Sequence, residues 1–285
     1  MRKVFEILGF ITLVCFSFFY TEKALTVVKE LDPIRQEIYE ILDLYNVEAA
    51  EAEILNDSYI IPGYNGLIID VEKSYNNMKR LGTFNEKLLI FKEQAPILSI
   101  NNIYDKYIIS GNKIKGTVSL VFKVDQDDDI QPVLEVLKAK QVMVTFFIDG
   151  KWLENNWSII NKLTSDNHEL ANLGYEGNYD EDFLLWTNNK LKQKTDIRPK
   201  YCYVEKKNNL VLNLCGDKKM HTIKPTIVVN NSPYREVKKE LMPGNIISFN
   251  ITNNVIRELP TIINYIKMKG YKIEPLVKHL DEKHQ

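Results

Sequence analysis

A chain of 285 residues is long enough to bury one good core, with a small accessory region beside it. Apolar residues at 45% and charged residues at 26% exclude a disordered chain. A formal net charge of −1 removes the electrostatic reason to expect a nucleic-acid partner.

The first element is apolar. Met1-Arg2-Lys3 precedes a run from Val4 to Tyr20 that is broken only by Glu6 and two hydroxyl residues. A membrane span needs ~20 residues, with a range of roughly 17–25, so the run is short but sufficient. Its exit, Phe18-Phe19-Tyr20-Thr21-Glu22-Lys23, lacks the small-residue pattern of a cleavage site. That favours an uncleaved anchor over 1–21. The positive-inside rule then places Met1 in the cytoplasm and the rest outside the cell membrane. A cleaved signal would instead give a secreted protein.

Residues 22–55 read as a helical stalk, with Leu31, Ile34, Ile38, Ile41, Leu42 and Tyr45 at helical spacing and Asp32-Pro33 as a start. Residues 56–116 read as a small α+β region. Two short strands in Tyr59–Asp70 flank a Pro-Gly/Asn-Gly turn, Glu72–Leu81 is helical up to Gly82, and Lys106–Asn112 supplies another strand. No metal spacing, nucleophile motif or phosphate loop occurs in this region.

From Thr117 the pattern changes. Strand VSLVFKV, helix IQPVLEVLKAKQ, strand VMVTFFID and a helix around ENNWSIINKLTSD alternate, followed by TIVVN, NIISFNI, LPTIINYIKMKG and YKIEPL. Strands alternating with helices of ~10–15 residues indicate a parallel α/β sheet or barrel over 117–281. Of the three cysteines, Cys15 falls in the anchor as apolar packing. Cys202 and Cys215 would be exported, so a disulfide is permitted, and two buried free thiols are an equal reading.

The segments VSLVFKV, VLEVLKAKQVMVTFFIDGKWLENN, NHELANLGYEGNYD, PGNIISFNI and ELPTIINYIKMKGYKIEPL, in that order, resemble the polysaccharide deacetylases. This carbohydrate-esterase family includes chitin, chito-oligosaccharide and peptidoglycan N-deacetylases. The resemblance implies a distorted (β/α) barrel with a groove at the strand C-terminal ends. It also implies a metal-activated water, with one Asp as base, a second Asp and two His on the metal, and a further His protonating the leaving amine. The two acid positions correspond to Lys123 and Val124. The metal histidines correspond to Leu173 and Gly177, and the late-strand His to Asn250. The family's Arg-Pro-Pro-Tyr-Gly loop falls either on Arg198-Pro199 or on Tyr201-Cys202-Tyr203. Zinc needs three good protein ligands, and the matched positions supply none. The resemblance therefore implies the fold without its inherited chemistry, and no cofactor.

The remaining polar residues carry competing readings. Asp125, Asp127, Asp128 and Asp129 precede Pro132, where acids favour a helix N-terminus, and D-x-D-D-D is also a weak calcium pattern. His168 lies beside the family's ligand positions and reads as structural before catalytic. Lys123 either fills the vacated metal position or holds an anion, or it snorkels to solvent. Glu176, Asp180 and Asp182 read as an exposed acidic loop. Trp152 and Trp157 read as core, Trp186 as near the domain's loops, and Tyr175 and Tyr179 as the better glycan contacts. The candidate ligand groove is thus Lys123, Asp125, Asp127, His168, Tyr175, Tyr179 and Asn250. His221, His279 and His284 show no partners at useful spacing.

These readings describe a membrane-anchored, extracytoplasmic deacetylase-like pseudoenzyme that binds envelope glycan or a protein partner. One alternative is an active N-deacetylase taking zinc or another divalent metal on ligands from the Asp125–Asp129 loop. A second is a structural module of a membrane complex.

Overall fold

The structure is a computed structural model that describes residues 10–21 and 30–284. Residues 10–21 are helical, with Phe10, Leu13, Phe16 and Phe19 exposed. Cys15 is exposed on this helix as well, where the sequence reading expects apolar packing. Among the described residues, no helix is long and apolar enough to cross a membrane. Residues 1–9 of the expected anchor and 22–29 of the expected stalk lie outside the described residues.

The strands, in chain order, are β1 (Glu53–Leu55), β2 (Tyr59–Ile61), β3 (Gly66–Ile69), β4 (Phe91–Gln94) and β5 (Tyr107–Ile108). Then come β6 (Thr117–Val124), β7 (Thr145–Ile148), β8 (Glu169–Asn172) and β9 (Tyr201–Tyr203). The last are β10 (His221–Ile223), β11 (Ile227–Val228), β12 (Ile246–Asn250) and β13 (Lys272–Ile273). The chain divides into two compact units, Met1–Ala49 with Gly66–Gln94, and Ala50–Asn65 with Ala95–Gln285.

In the first unit, Asp32 caps helix Pro33–Glu40 by accepting from Ile34 N at 3.0 Å, with Pro33 preset for the first turn. Ile34 and Ile38 bury against Tyr75 and Met78 of helix Val71–Lys79. The Tyr75 hydroxyl also donates to Asp32 Oδ2 at 2.9 Å. Helicity ends at Tyr45, so the segment expected as a stalk packs within a small α+β unit instead. Gly82 closes the second helix at φ +72, where the sequence places its end.

The second unit holds an eleven-stranded sheet in the order β1-β2-β5-β10-β9-β8-β7-β6-β12-β11, with β13 beside β6. Every pairing is parallel except β1–β2, whose three-residue turn is Asn56-Asp57-Ser58, with Asn56 and Asp57 at φ 48 and 51. The turn expected at Pro62–Gly66 is not a hairpin. Strand β2 joins the large sheet, while β3 pairs β4 in the other unit. The sheet also runs through residue 116, since β1, β2 and β5 extend it.

The result is a curled (β/α) half-barrel, made mixed by β1. Period-2 alternation splits each central strand between two cores. Val118, Leu120, Phe122 and Val124 join Phe146 and Phe249 under the outer helices. Val121, Phe147, Ala171, Leu173 and Ile246 pack inward with Leu276 and Leu280. Cys202 on β9 is disulfide-bonded to Cys215 on helix Asn209–Asp217, which settles the open reading of that pair.

The C-terminal segment fastens the sheet. Glu282 is buried and accepts from Gly63 N at 2.8 Å, Ile100 N at 3.2 Å and the Ser99 hydroxyl. His284 bonds Tyr64 Oη at 3.0 Å and Asn65 O at 2.7 Å. His279, fully buried, bonds Thr117 Oγ1 at 2.7 Å and Gly244 O at 3.0 Å. A Cβ on Gly111 would meet its ring at 2.5 Å. The last two histidines thus have partners more than 160 residues upstream for one and about 220 for the other, which no short spacing reveals.

Two stability effects are expected. Glu282→Ala strands several buried donors and should lower the unfolding free energy by about 2–5 kcal/mol, read as a fall in urea midpoint. Reducing Cys202–Cys215, with its 13-residue separation, should lower it by about 3 kcal/mol, measured by the same titration with and without reductant.

Candidate functional site

Parallel register brings the C-terminal ends of β6, β7, β8, β9 and β12 together. Lys123 lies opposite both Asn250 and Phe147, and Val124 opposite Ile148. The Lys123 ammonium forms an ion pair with Glu205, just past β9, and sits 5.5 Å from the Tyr203 ring centroid. Tyr203 in turn shares a 2.7 Å hydrogen bond with Ser248 of β12. Partial burial holds the Asp125 carboxyl above its usual range, and Asp149 and Glu205 add repulsion that Lys123 offsets. Asp149 is itself buried. It caps helix Gly150–Asn155 through Lys151 N at 2.7 Å, and its second oxygen accepts from Gly177 N at 3.1 Å.

This donor set does not fit the family's metal. Val124 and Leu173 are buried apolar side chains, and Gly177 has no side chain and a φ of +73. Lys123 contributes a cation, held by Glu205. Asn250 offers an amide whose Oδ1 is buried without a hydrogen-bond partner. Among the described residues, no group of three His, Cys, Asp or Glu could hold a metal ion. The Lys123 ammonium, expected either at the vacated metal position or on an anion, or snorkelling to solvent, is paired with the Glu205 carboxylate.

The acids of 125–129 turn mostly to the backbone. Asp128 Oδ2 accepts from Asp125 N at 2.8 Å, and Asp129 Oδ1 accepts from Gln131 N at 3.0 Å at the start of helix Gln131–Lys140. Asp127 is exposed. The structure removes two residues from the candidate groove. His168 precedes β8 and so lies at the opposite end of the strands, where its Nδ1 accepts from Val144 N at 3.2 Å. Tyr179 spends its hydroxyl on structure, donating to Asn172 O at 2.7 Å and accepting from Tyr203 N at 3.0 Å.

Tyr175 stays half-exposed. Its ring stacks on Phe183 at 4.9 Å and meets Trp186 edge-on at 5.3 Å, with Lys151 over its face. Trp152 is fully buried and donates from Nε1 to Asp128 O, and Trp157 packs on the outer core. Asp180 caps helix Glu181–Thr195 through Phe183 N, and Glu176 takes a φ of +50 in an exposed turn. Tyr201-Cys202-Tyr203 forms β9 and delivers Tyr203 to the site, whereas Arg198-Pro199 lies before that strand, at its other end.

Sequence reasoning misses Glu205, Ser248 and Asp149. Asp149 carries a legible signal, an acid between an apolar strand and a helix start. Glu205 and Ser248 carry none, because their partners are distant in sequence.

The curled (β/α) sheet with a polar groove at its strand C-terminal ends is consistent with the fold of the deacetylase-type carbohydrate esterases. Residues 110–241 match the polysaccharide deacetylase family. The uncharacterized Bacillus subtilis protein YlxY is 28% identical over 276 residues, covering 90% of this chain and 86% of that protein. Wild-type BA3943 of Bacillus anthracis, a CE4-family pseudoenzyme, is 27% identical, with a TM-score of 0.70 over 88% of this chain and 96% of that one. A BA3943 mutant with restored enzymatic activity aligns equally well. Bacillus subtilis PdaA, a family 4 carbohydrate esterase, shares the fold at 20% identity and a TM-score of 0.54, over 62% of this chain and 85% of that one.

Burial sets the pH response. Desolvation pushes His168, His221 and His279 down from 6.5 to about 4, so all three are neutral when folded. The unfolded chain binds their protons first, and stability is lost as pH falls from about 6.5 through about 4. Glu169 acts in the opposite sense. Burial raises its carboxyl from 4.5 to about 7, against hydrogen bonds from Thr145 and Val277 that favour the charged form. Its contribution is therefore lost as pH rises through that window. Glu169→Gln should melt above the wild type by a margin that widens from about pH 5 to about pH 8, followed by calorimetry.

Proposed function

We propose that this protein is a membrane-anchored, extracytoplasmic, non-catalytic member of the polysaccharide deacetylase family that binds cell-envelope glycan. The carrying observation is the Lys123–Glu205 ion pair at the strand ends, where the family's chemistry needs a metal and its acids. Around it lie groups suited to sugar hydroxyls and amides: the unpartnered Asn250 Oδ1, the Asp125 carboxyl and the Tyr203–Ser248 pair. The half-exposed Tyr175, backed by Phe183 and Trp186, supplies an aromatic face for a sugar ring.

Two further features support the setting. The apolar run from Val4 to Tyr20 suits an anchor, and the Cys202–Cys215 disulfide suits an oxidising compartment. The likeness to BA3943, itself a pseudoenzyme, supports the loss of catalysis.

The test is threefold on the full chain in nanodiscs: metal content after dialysis against zinc, acetate release from N-acetylated glycan, and co-sedimentation with purified peptidoglycan. Expected are negligible zinc, no acetate, and sedimentation weakened severalfold in Asn250→Leu, which removes the unpartnered amide oxygen. About one zinc per chain together with acetate release would establish the active deacetylase instead. Absence of sedimentation with all glycans would leave the structural module or a protein partner.

A further inference from the structure

At the end of the strands opposite the groove, the starts of β7, β8 and β9 surround a cavity of about 620 Å³. That volume falls within the range of small-molecule sites, which pair apolar walls with a few fixed polar groups. Met143, Leu170, Ile197 and Pro275 line the walls, and Ile197 is 63% exposed. His168 also lines the cavity and is more than nine-tenths buried. Because Nδ1 accepts from Val144 N, its ring proton sits on Nε2. Among the described residues no protein group accepts that proton.

The charged lining is cationic. Arg198 and Lys200 line the cavity, and neither has an ion-pair partner among the described residues. The one carboxyl there, Glu169, is engaged by the Thr145 hydroxyl at 2.7 Å and by Val277 N at 3.0 Å. Burial raises its pKa to about 7 and keeps it partly neutral near pH 7, so it opposes an incoming anion only weakly. A cation would meet two like charges and an N–H donor. An uncharged apolar molecule would leave the His168 N–H unpaired at a cost of ~1–3 kcal/mol.

We propose that this cavity is a second ligand site, which binds a small organic carboxylate with an apolar body. The apolar part lies against Met143, Leu170 and Ile197, and the carboxylate is held by His168 Nε2–H, Arg198 and Lys200. The site is independent of the glycan groove, because it uses the other ends of the same strands.

Photo-cross-linking the full chain in nanodiscs with benzophenone-4-carboxylate, with peptide mapping by mass spectrometry, tests it. Expected is labelling at Met143, Leu170 or Ile197 that excess 2-naphthoate competes away. The surface double variant Arg198→Gln/Lys200→Gln should reduce it by about tenfold, and each single variant severalfold, since charge-assisted hydrogen bonds are the strong ones. Uncharged benzophenone should label these positions far less. Labelling confined to other segments, labelling undiminished in the double variant, or equal labelling by uncharged benzophenone would each overturn the proposal.

Discussion

Strand β6 is removed from water on both faces from Thr117 to Phe122, because it lies between β7 and β12 and separates two cores. Its even-numbered residues pack under the outer helices, with Phe122 stacked between Phe146 and Phe249 at 5.5 and 5.2 Å. Val121 points to the inner core. A strand so enclosed cannot slip by one residue without burying Lys123. The register therefore fixes where the first charged side chain emerges. It emerges at the C-terminal end, opposite Asn250 and within reach of Glu205. The location of the groove follows from this single exclusion of water.

What occupies the groove follows from charge. A metal site concentrates carboxylates and imidazoles around a cation. Here a side-chain cation, Lys123, meets one carboxylate, and the apolar Val124 and Leu173 close off the positions beside it. An ion pair half-withdrawn from water balances a desolvation cost against its own attraction, so it adds little to stability. It does leave the groove polar, with Lys123 set among the carboxyl groups of Glu205, Asp125 and Asp149.

The elements that fold through local pattern were legible in the sequence. β6, β7 and β12 read as apolar runs, Asp32-Pro33 as a cap, and Gly82 as a helix end, because each signal lies within a few residues of its effect. The β1–β2 hairpin was displaced, since Asn56-Asp57 is a weaker written signal than Pro62-Gly63, yet it is Asn56 and Asp57 that adopt positive φ. In the groove, Lys123 and Asn250 were found through the family resemblance, and Asp125 from its place just after β6. Glu205 was not, because its partner lies 82 residues away. His168 was assigned to the wrong end of its strand, as residues on either side of a short strand are close in sequence and far apart in space. The partners of His279 and Glu282 were invisible for the same reason, at greater separation.

The clamp formed by Glu282 and His284 has a consequence for the order of events in folding. The donors it satisfies, on Gly63, Ser99 and Ile100, lie in the connections after β2 and before β5, while the acceptor is synthesised some 180 to 220 residues later. Until residue 282 has been made, those connections carry unpaired donors next to an uncovered inner face. Contacts of such long range fold slowly and leave edges open in the meantime. A chain still being synthesised would therefore hold that early region unfastened until its C-terminal segment is made.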